Sequence, residues 1–348
     1  MLKVPKRPGT AATLRRRAPL YLALGMTVVL LAAGAFSLRQ WWFQQWPVTP
    51  PGTQRVDIAP GTALPQIAAQ LEQAGVISDA RRFVQLARWR DAAQKISAGS
   101  YEFSKAATPG EVLDRLLAGD VIKIRITIPE GFTLREIAAR VAAAGIGTVT
   151  QFLQAAADPA RLGRLGIPGR SLEGYLFPET YIVTTNTTPV EVVRSMVAQF
   201  ERQLTPELVA AARARGLDRH ALVTLASIVQ KEAGNDNEMP LIAGVFYNRL
   251  RKGMRLQADP TVIYGIPDFD GNLTRRHLET PTPYNTYTRA GLPPGPIASP
   301  GLAALRAVAQ PAATQALYFV ASGDGRHVFN TTLDAHNRAV QRYQQNRR

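Results

Sequence analysis

The chain has 348 residues, no cysteine, a formal net charge of +15 and 46% hydrophobic residues. That length fits two or three domains, and that hydrophobic share fits packed cores rather than a disordered chain. Absent cysteine excludes disulfides, thiolate metal sites and cysteine nucleophiles; with no RNP, zinc-finger or helix-turn-helix pattern, the positive charge does not indicate nucleic-acid binding.

Much of that charge is local. Lys3, Lys6, Arg7, Arg15, Arg16 and Arg17 fall in residues 1–17, a stretch without an acid. Residues 18–38, APLYLALGMTVVLLAAGAFSL, follow with no charge. At a rise of 1.5 Å per residue they span roughly 30 Å, the thickness of a bilayer core. Trp41, Trp42 and Trp46 come next, at the depth of the headgroups. Positive charge before the span and an aromatic belt after it predict an uncleaved anchor, with a cytoplasmic tail and everything beyond residue 47 outside the cytoplasmic membrane.

PVTPPGTQ, residues 47–54, ends a linker that begins at residue 39. An internal repeat follows at an offset of 70 residues: IAPGTALPQIAAQLEQAGVI at 58–77 and IPEGFTLREIAARVAAAGIG at 128–147. Each copy predicts a short strand, a glycine turn, a helix with apolar positions at i, i+3, i+4 and i+7, and a glycine stop. The pattern is similar to the LysM module, which binds N-acetylated glycans. A small α/β packing unit without a ligand explains it equally well. From about residue 166 the texture changes to glycine-, proline-, asparagine- and tyrosine-rich segments between short helices, of the kind that line a site.

One carboxylate stands out. Asp218 to Ala233 reads as a single helix, with Asp218 as its N-cap and Gly234 as its C′ glycine. Glu232 lies four residues after Ile228 and seven after Leu225, on the apolar face. Partial burial and the negative end of the helix dipole both raise the pKa of a carboxyl placed there. A glutamate held protonated near neutral pH is a candidate general acid. An ordinary glutamate bonded to a lysine or a backbone amide is the competing reading.

Further polar residues follow. Asn248 and Arg249 sit beside the apolar Val245 and Phe246 and are expected to look into the same space as Glu232. Gln257, Asp259, Thr261 and Tyr264 are expected in a strand or loop. Amides, hydroxyls and aromatic rings together make a carbohydrate-type surface. Tyr284, Asn285, Thr286 and Tyr287, in YNTY, extend the candidate set for substrate binding. His327 and His336 are nine residues apart with no HExxH motif, and His220 and His277 are more distant, so no metal is expected. No phosphate-binding glycine loop implies a nucleotide, and no cofactor is called for.

ASIVQKEAG, GVFYNRLRKGMRLQADPTVIYG, LETPTPYNTYTRAGLPPGPIASPG, LYFVASGDGRHVFNTTLDAHNRAV and LEGYLFPETY resemble the endolytic murein transglycosylases of the MltG (YceG-like) family. The resemblance implies an α+β fold: one transmembrane helix, one or more LysM-like modules and a catalytic domain with long loops over a cleft. Mapped on this chain, that gives a basic tail (1–17), the membrane helix (18–38), a linker (39–54), a LysM-like domain (55–125) and a catalytic domain (126–348), with 126–165 open to reading as a second LysM-like copy. It implies cleavage of the β-1,4 bond between N-acetylmuramic acid and N-acetylglucosamine inside nascent peptidoglycan strands, leaving 1,6-anhydro ends. The family pattern places its catalytic glutamate at Glu232, and Gln230 stands where the pattern has a first acid. The family also implies work beside peptidoglycan synthases. A hydrolase would need a second carboxylate, for which Asp259, Glu173 and Glu279 are candidates. A glycan-binding scaffold without catalysis is the third reading.

Overall fold

The computed structural model describes residues 11–44 and 47–345. Helix α1, Ala11–Gln44, contains a 19-residue segment, Tyr21–Arg39, of mean hydropathy 2.0 and with no burial. It is long and apolar enough to cross a bilayer. Trp46 and residues 1–10 lie outside the described residues, as do the side chains of Trp41 and Trp42. The protein is a mixed α+β chain that divides into two compact units, Met1–Ile122 and Lys123–Arg348.

In the first unit β1 (Gln54–Ile58) leads through α2 (Leu64–Gln73) and α3 (Ala80–Trp89) to β2 (Gly99–Phe103), which pairs antiparallel with β1, and then to α4 (Pro109–Ala118). Alternation along β1 sends Val56 and Ile58 inward, where they meet Ile67, Leu71, Phe83, Tyr101 and Leu116 in a core of their own.

The second unit opens the same way. Strand β3 (Lys123–Thr127) leads through α5 (Leu134–Ala143), α6 (Val149–Ala156) and α7 (Pro159–Arg164) to β4 (Thr180–Thr184), again antiparallel, with Lys123 opposite Thr184. The 70-residue offset of the sequence repeat is visible in the backbone: α2 begins at Leu64 and α5 at Leu134, after Gly61 and Gly131 with φ of 80° and 75°. Those turns need a left-handed residue, which glycine supplies without steric cost. Helix α5 is better capped. Thr133 and Glu136 form a capping box, whereas Ala63 gives α2 no side-chain cap.

Next come α8 (Pro189–Gln203), α9 (Pro206–Arg213), α10 (Arg219–Glu232), α11 (Met239–Arg251), α12 (Asp259–Tyr264) and α13 (Arg275–Glu279). Helix α14 (Leu302–Ala309) then packs on both α10 and α11. The hairpin β5 (Tyr318–Ala321) and β6 (His327–Asn330) is backed by α15 (Leu333–Val340). One continuous core joins Ile126, Ile137 and Val141 of the repeat to Leu222, Leu225 and Ile228 of α10 and to Phe246 of α11. The 259–264 stretch is therefore a helix, not the strand or loop expected; Pro260 near its start favours a helical first turn.

Candidate active site

Helix α10 delivers Glu232. Asp218 caps it, its Oδ1 accepting from Ala221 N at 2.7 Å, and Leu222 through Val229 are buried. Glu232 is the last helical residue, and Ala233 leaves in an extended conformation with φ −73° and ψ 130°. Gly234 is thus not the left-handed cap expected of it. A Cβ there would stand 2.7 Å from the carbonyl oxygen of Gly325, in the turn between β5 and β6. Close approach, not backbone twist, requires the glycine. Asn235 Nδ2 donates to the same carbonyl at 2.9 Å, which stitches the end of the helix to the hairpin.

Glu232 opens on a cavity of about 560 Å³ whose wall includes Arg249, Gln257, Asp259, Tyr287 and His327. Burial pushes its carboxyl up to about 8; the charge of Asp259 pushes the same way and Arg249 opposes. Among the described residues no hydrogen bond contributes, so there the group is held by its surroundings rather than by a donor. Arg249 is buried. Its Nε donates to Leu317 O at 2.6 Å and its Nη1 to Leu256 O at 2.6 Å, and its guanidinium lies 5.1 Å from the centroid of Tyr318. Asp259 Oδ1 accepts from the Tyr287 hydroxyl at 2.5 Å.

Gln257 is one of the few non-glycine residues with positive φ, at 52°. Such a conformation costs about 1–3 kcal/mol and persists where neighbours enforce it. Here Gln257 N donates to Thr286 O at 3.2 Å, Ala258 N donates to Thr286 Oγ1 at 3.0 Å, and the hydroxyls of Thr286 and Thr261 lie 2.8 Å apart. Thr261 and Thr286 are fully buried, so in this structure they brace the wall and do not reach the cavity. Asn285 is buried as well. Its Nδ2 donates to the carbonyls of His277, Leu278 and Thr280, and its Oδ1 accepts from Tyr287 N at 2.8 Å.

The expected polar set therefore divides. Glu232, Arg249, Gln257, Asp259 and Tyr287 share one cavity. Asn248 faces elsewhere: its Nδ2 donates to the carbonyls of Thr314 and Ala316 at 2.9 and 3.0 Å, and it borders a different cavity with Tyr247 and Arg251. Adjacent helical residues diverge by about 100°, so Asn248 and Arg249 cannot look into one space. Tyr264 and Tyr284 line a third cavity with Glu173. Of the carboxylates weighed as partners, Asp259 alone shares the cavity of Glu232; Glu173 lies apart, and Glu279 is exposed and paired with Arg275 at 2.7 Å.

Both His327 and His336 stand on the wall of the Glu232 cavity. His327 Nδ1 lies 2.8 Å from Glu238 Oε2, and its backbone N donates to Glu238 Oε1 at 2.9 Å. Glu238 gives no sequence signal, because it comes to the site only through the fold of the hairpin. His336 stacks on Tyr318 with centroids 5.3 Å apart. Among the described residues no group of three or more His, Cys, Asp or Glu could hold a metal ion. Gln230 points away from the cavity, where its Oε1 accepts from Gly301 N at 2.9 Å and its amide bonds Glu130.

The cavity thus gathers a carboxyl pushed up mainly by burial, a carboxylate whose charge adds to that shift, and a guanidinium that opposes it. Comparison with known proteins gives it a family. The model of the YceG-like family matches residues 56–342, and the chain belongs to that family. It is 32% identical over 307 residues to the "Endolytic murein transglycosylase" of Bacillus subtilis, covering 84% of this chain and 85% of that protein. It is 30% identical to the protein of the same name from Streptococcus pneumoniae, over 82% of this chain and 57% of that longer protein. The crystal structure of a YceG-like protein from Listeria monocytogenes superposes with a TM-score of 0.58 at 31% identity, covering 82% of this chain and 98% of that one.

Proposed function

We propose that this chain is an endolytic lytic transglycosylase that cuts the bond between N-acetylmuramic acid and N-acetylglucosamine within peptidoglycan strands, with Glu232 as acid and then base. The observation that carries the reading is Glu232 on the wall of a cavity, pushed up to about 8 with no hydrogen bond of its own among the described residues, which makes it a ready proton donor at neutral pH. Glu232 gives its proton to the glycosidic oxygen as the C1–O bond breaks. The carboxylate left behind is offset by Arg249. It then takes the proton of the muramoyl C6 hydroxyl as that oxygen closes on C1 of the same sugar. Glu232 ends protonated, no water is consumed, and intramolecular attack supplies the effective concentration.

Asp259 supports a second reading, a two-carboxylate hydrolase, because it shares the cavity. The Tyr287 hydroxyl bonded to it favours a fixed charge that tunes Glu232 and orients the substrate. Gln257 and Tyr287 supply hydrogen bonds and a ring to the sugars. Helix α1 anchors the chain in the cytoplasmic membrane with its body outside, restricting it to strands made near that surface, where glycan-polymerising synthases work. The strand–helix–helix–strand first unit serves as a LysM-like glycan-binding module.

The test is product analysis. Full-length protein in detergent is incubated with uncrosslinked glycan strands, beside Glu232→Gln, and the new ends are identified by mass spectrometry. Ends lighter by one water, absent in the variant, are expected. Ordinary reducing ends would establish the hydrolase, and binding without any product would leave a scaffold.

A further inference from the structure

Tyr264 and Tyr284 do not belong to the catalytic cavity, yet they are built into one. Their cavity has a volume of about 320 Å³ and closes around Glu173, Tyr175, His220 and the Pro294–Gly295–Pro296 loop. Glu173 is 8% exposed and forms the floor. Its Oε1 accepts from Leu134 N at 3.0 Å, at the start of α5, and its Oε2 from the Tyr264 hydroxyl at 3.2 Å. Burial pushes this carboxyl up to about 7. The two tyrosine rings stand 4.8 Å apart, tilted by 59°.

The loop over the cavity is pinned. His220 Nε2 lies 2.8 Å from Pro294 O, and its Nδ1 lies 2.7 Å from the Tyr175 hydroxyl. A carbonyl only accepts, so Nε2 carries the proton and donates to it. In the neutral ring Nδ1 then accepts from Tyr175. Gly295 sits in this fixed loop, and a Cβ there would meet His220 at 3.5 Å and the Tyr284 hydroxyl at 3.6 Å. A methyl there would sit in ordinary contact beside the Tyr284 hydroxyl.

The volume is at the low end of ligand pockets, roughly 300–1,000 Å³, and suits one substituted sugar ring. Two aromatic faces and phenol hydroxyls are groups that take a pyranose: rings against its apolar face, hydroxyls against its own. Helix α12 joins this cavity to the catalytic one, with Asp259 at its first residue and Tyr264 at its last. Five steps of 1.5 Å separate them by about 7.5 Å, a length that a short run of linked sugars spans. Tyr284 and Tyr287 make the same division on one turn.

We propose that the Tyr264–Tyr284 cavity is a separate saccharide subsite, which holds one N-acetylhexosamine ring of the strand and so fixes where along it the cut at Glu232 falls. The inference rests on the glycan-cleaving reading above. Its test uses the full-length Glu232→Gln protein in detergent, titrated with N-acetylglucosamine oligomers of increasing length. Affinity is expected to rise with length, and the longer oligomers to lose about tenfold in Tyr284→Ala, a value typical of one aromatic contact. Gly295→Ala places a methyl against the Tyr284 hydroxyl and leaves both tyrosines in place; it is expected to give a smaller loss in the same sense, which guards against misfolding of the tyrosine variant. In proteins that keep Glu232, Gly295→Ala is expected to change the distribution of product lengths. Equal affinity at all lengths, or unaltered long-oligomer affinity in Gly295→Ala, would overturn the subsite. If the wild type forms no anhydro ends, the catalytic reading fails, while the titration still decides the subsite.

Discussion

Two glutamates in the second unit, Glu232 and Glu173, are both pushed up by burial, to about 8 and about 7. Their surroundings differ in kind. Glu173 receives backbone and tyrosine hydrogen bonds that work against its burial, and it ties α5 to α12. Glu232 has no such donor among the described residues, and the nearby Asp259 charge reinforces its burial. A carboxyl saturated with donors is anchored, whereas one held only by desolvation and a like charge is free to hand over its proton. The same residue type at similar acidity thus stands in two kinds of surroundings, and the hydrogen-bond inventory separates them.

The sharpest way to break this contrast is Glu232→Gln. Turnover is expected to fall by at least about 10²–10⁴, the usual contribution of a general acid, with glycan affinity retained; release of anhydro ends and direct binding check it. Glu173→Ala should instead act on stability. It strands Leu134 N and the Tyr264 hydroxyl, at a cost of about 1–3 kcal/mol, read as a lower midpoint of thermal unfolding.

Asp259→Asn sharpens the comparison through pH. In the proposed mechanism the acid form of Glu232 is the active one, so the wild-type rate is expected to fall as pH rises through about 8. Removing the repelling charge lowers the pKa of Glu232, and this alkaline limb should move to lower pH. Stability has the same sign. Because folding raises the pKa of Glu232, the folded protein binds more protons between about 4.5 and 8, and this contribution to stability is lost as pH rises through that window. The unfolding midpoint of Glu232→Gln relative to wild type should therefore rise across it. The smallest effect belongs to Gln230→Glu, which sets a carboxylate beside Glu130, outside the catalytic cavity; a slight loss of thermal stability with unchanged turnover is expected.

Local features were legible in the sequence. The 70-residue repeat and the cap at Asp218 depend on spacing within a few residues, and each appears in the structure at its expected position. Features set by distant chain were not. Gly234 looked like a helix stop because Gly325 cannot be seen from its neighbours. Asn248 looked like a cleft residue because the 314–316 segment that consumes its amide is remote. Thr261, Asn285 and Thr286 have the chemistry of ligand-binding groups, and the fold turns it inward to hold the backbone.

The pairing of β3 with β4 bears on how the chain folds. Strands β5 and β6 meet across a short turn, whereas Lys123 must find Thr184 after α5, α6, α7 and the LEGYLFPETY segment have been made. Contacts between distant residues form slowly, because the intervening chain must first be confined. A chain synthesised from its amino terminus can close β1 on β2 while the second unit is still incomplete. During that interval β3, with Ile124 and Ile126, is an unpaired strand edge. Until β4 arrives, such an edge is open to wrong pairing.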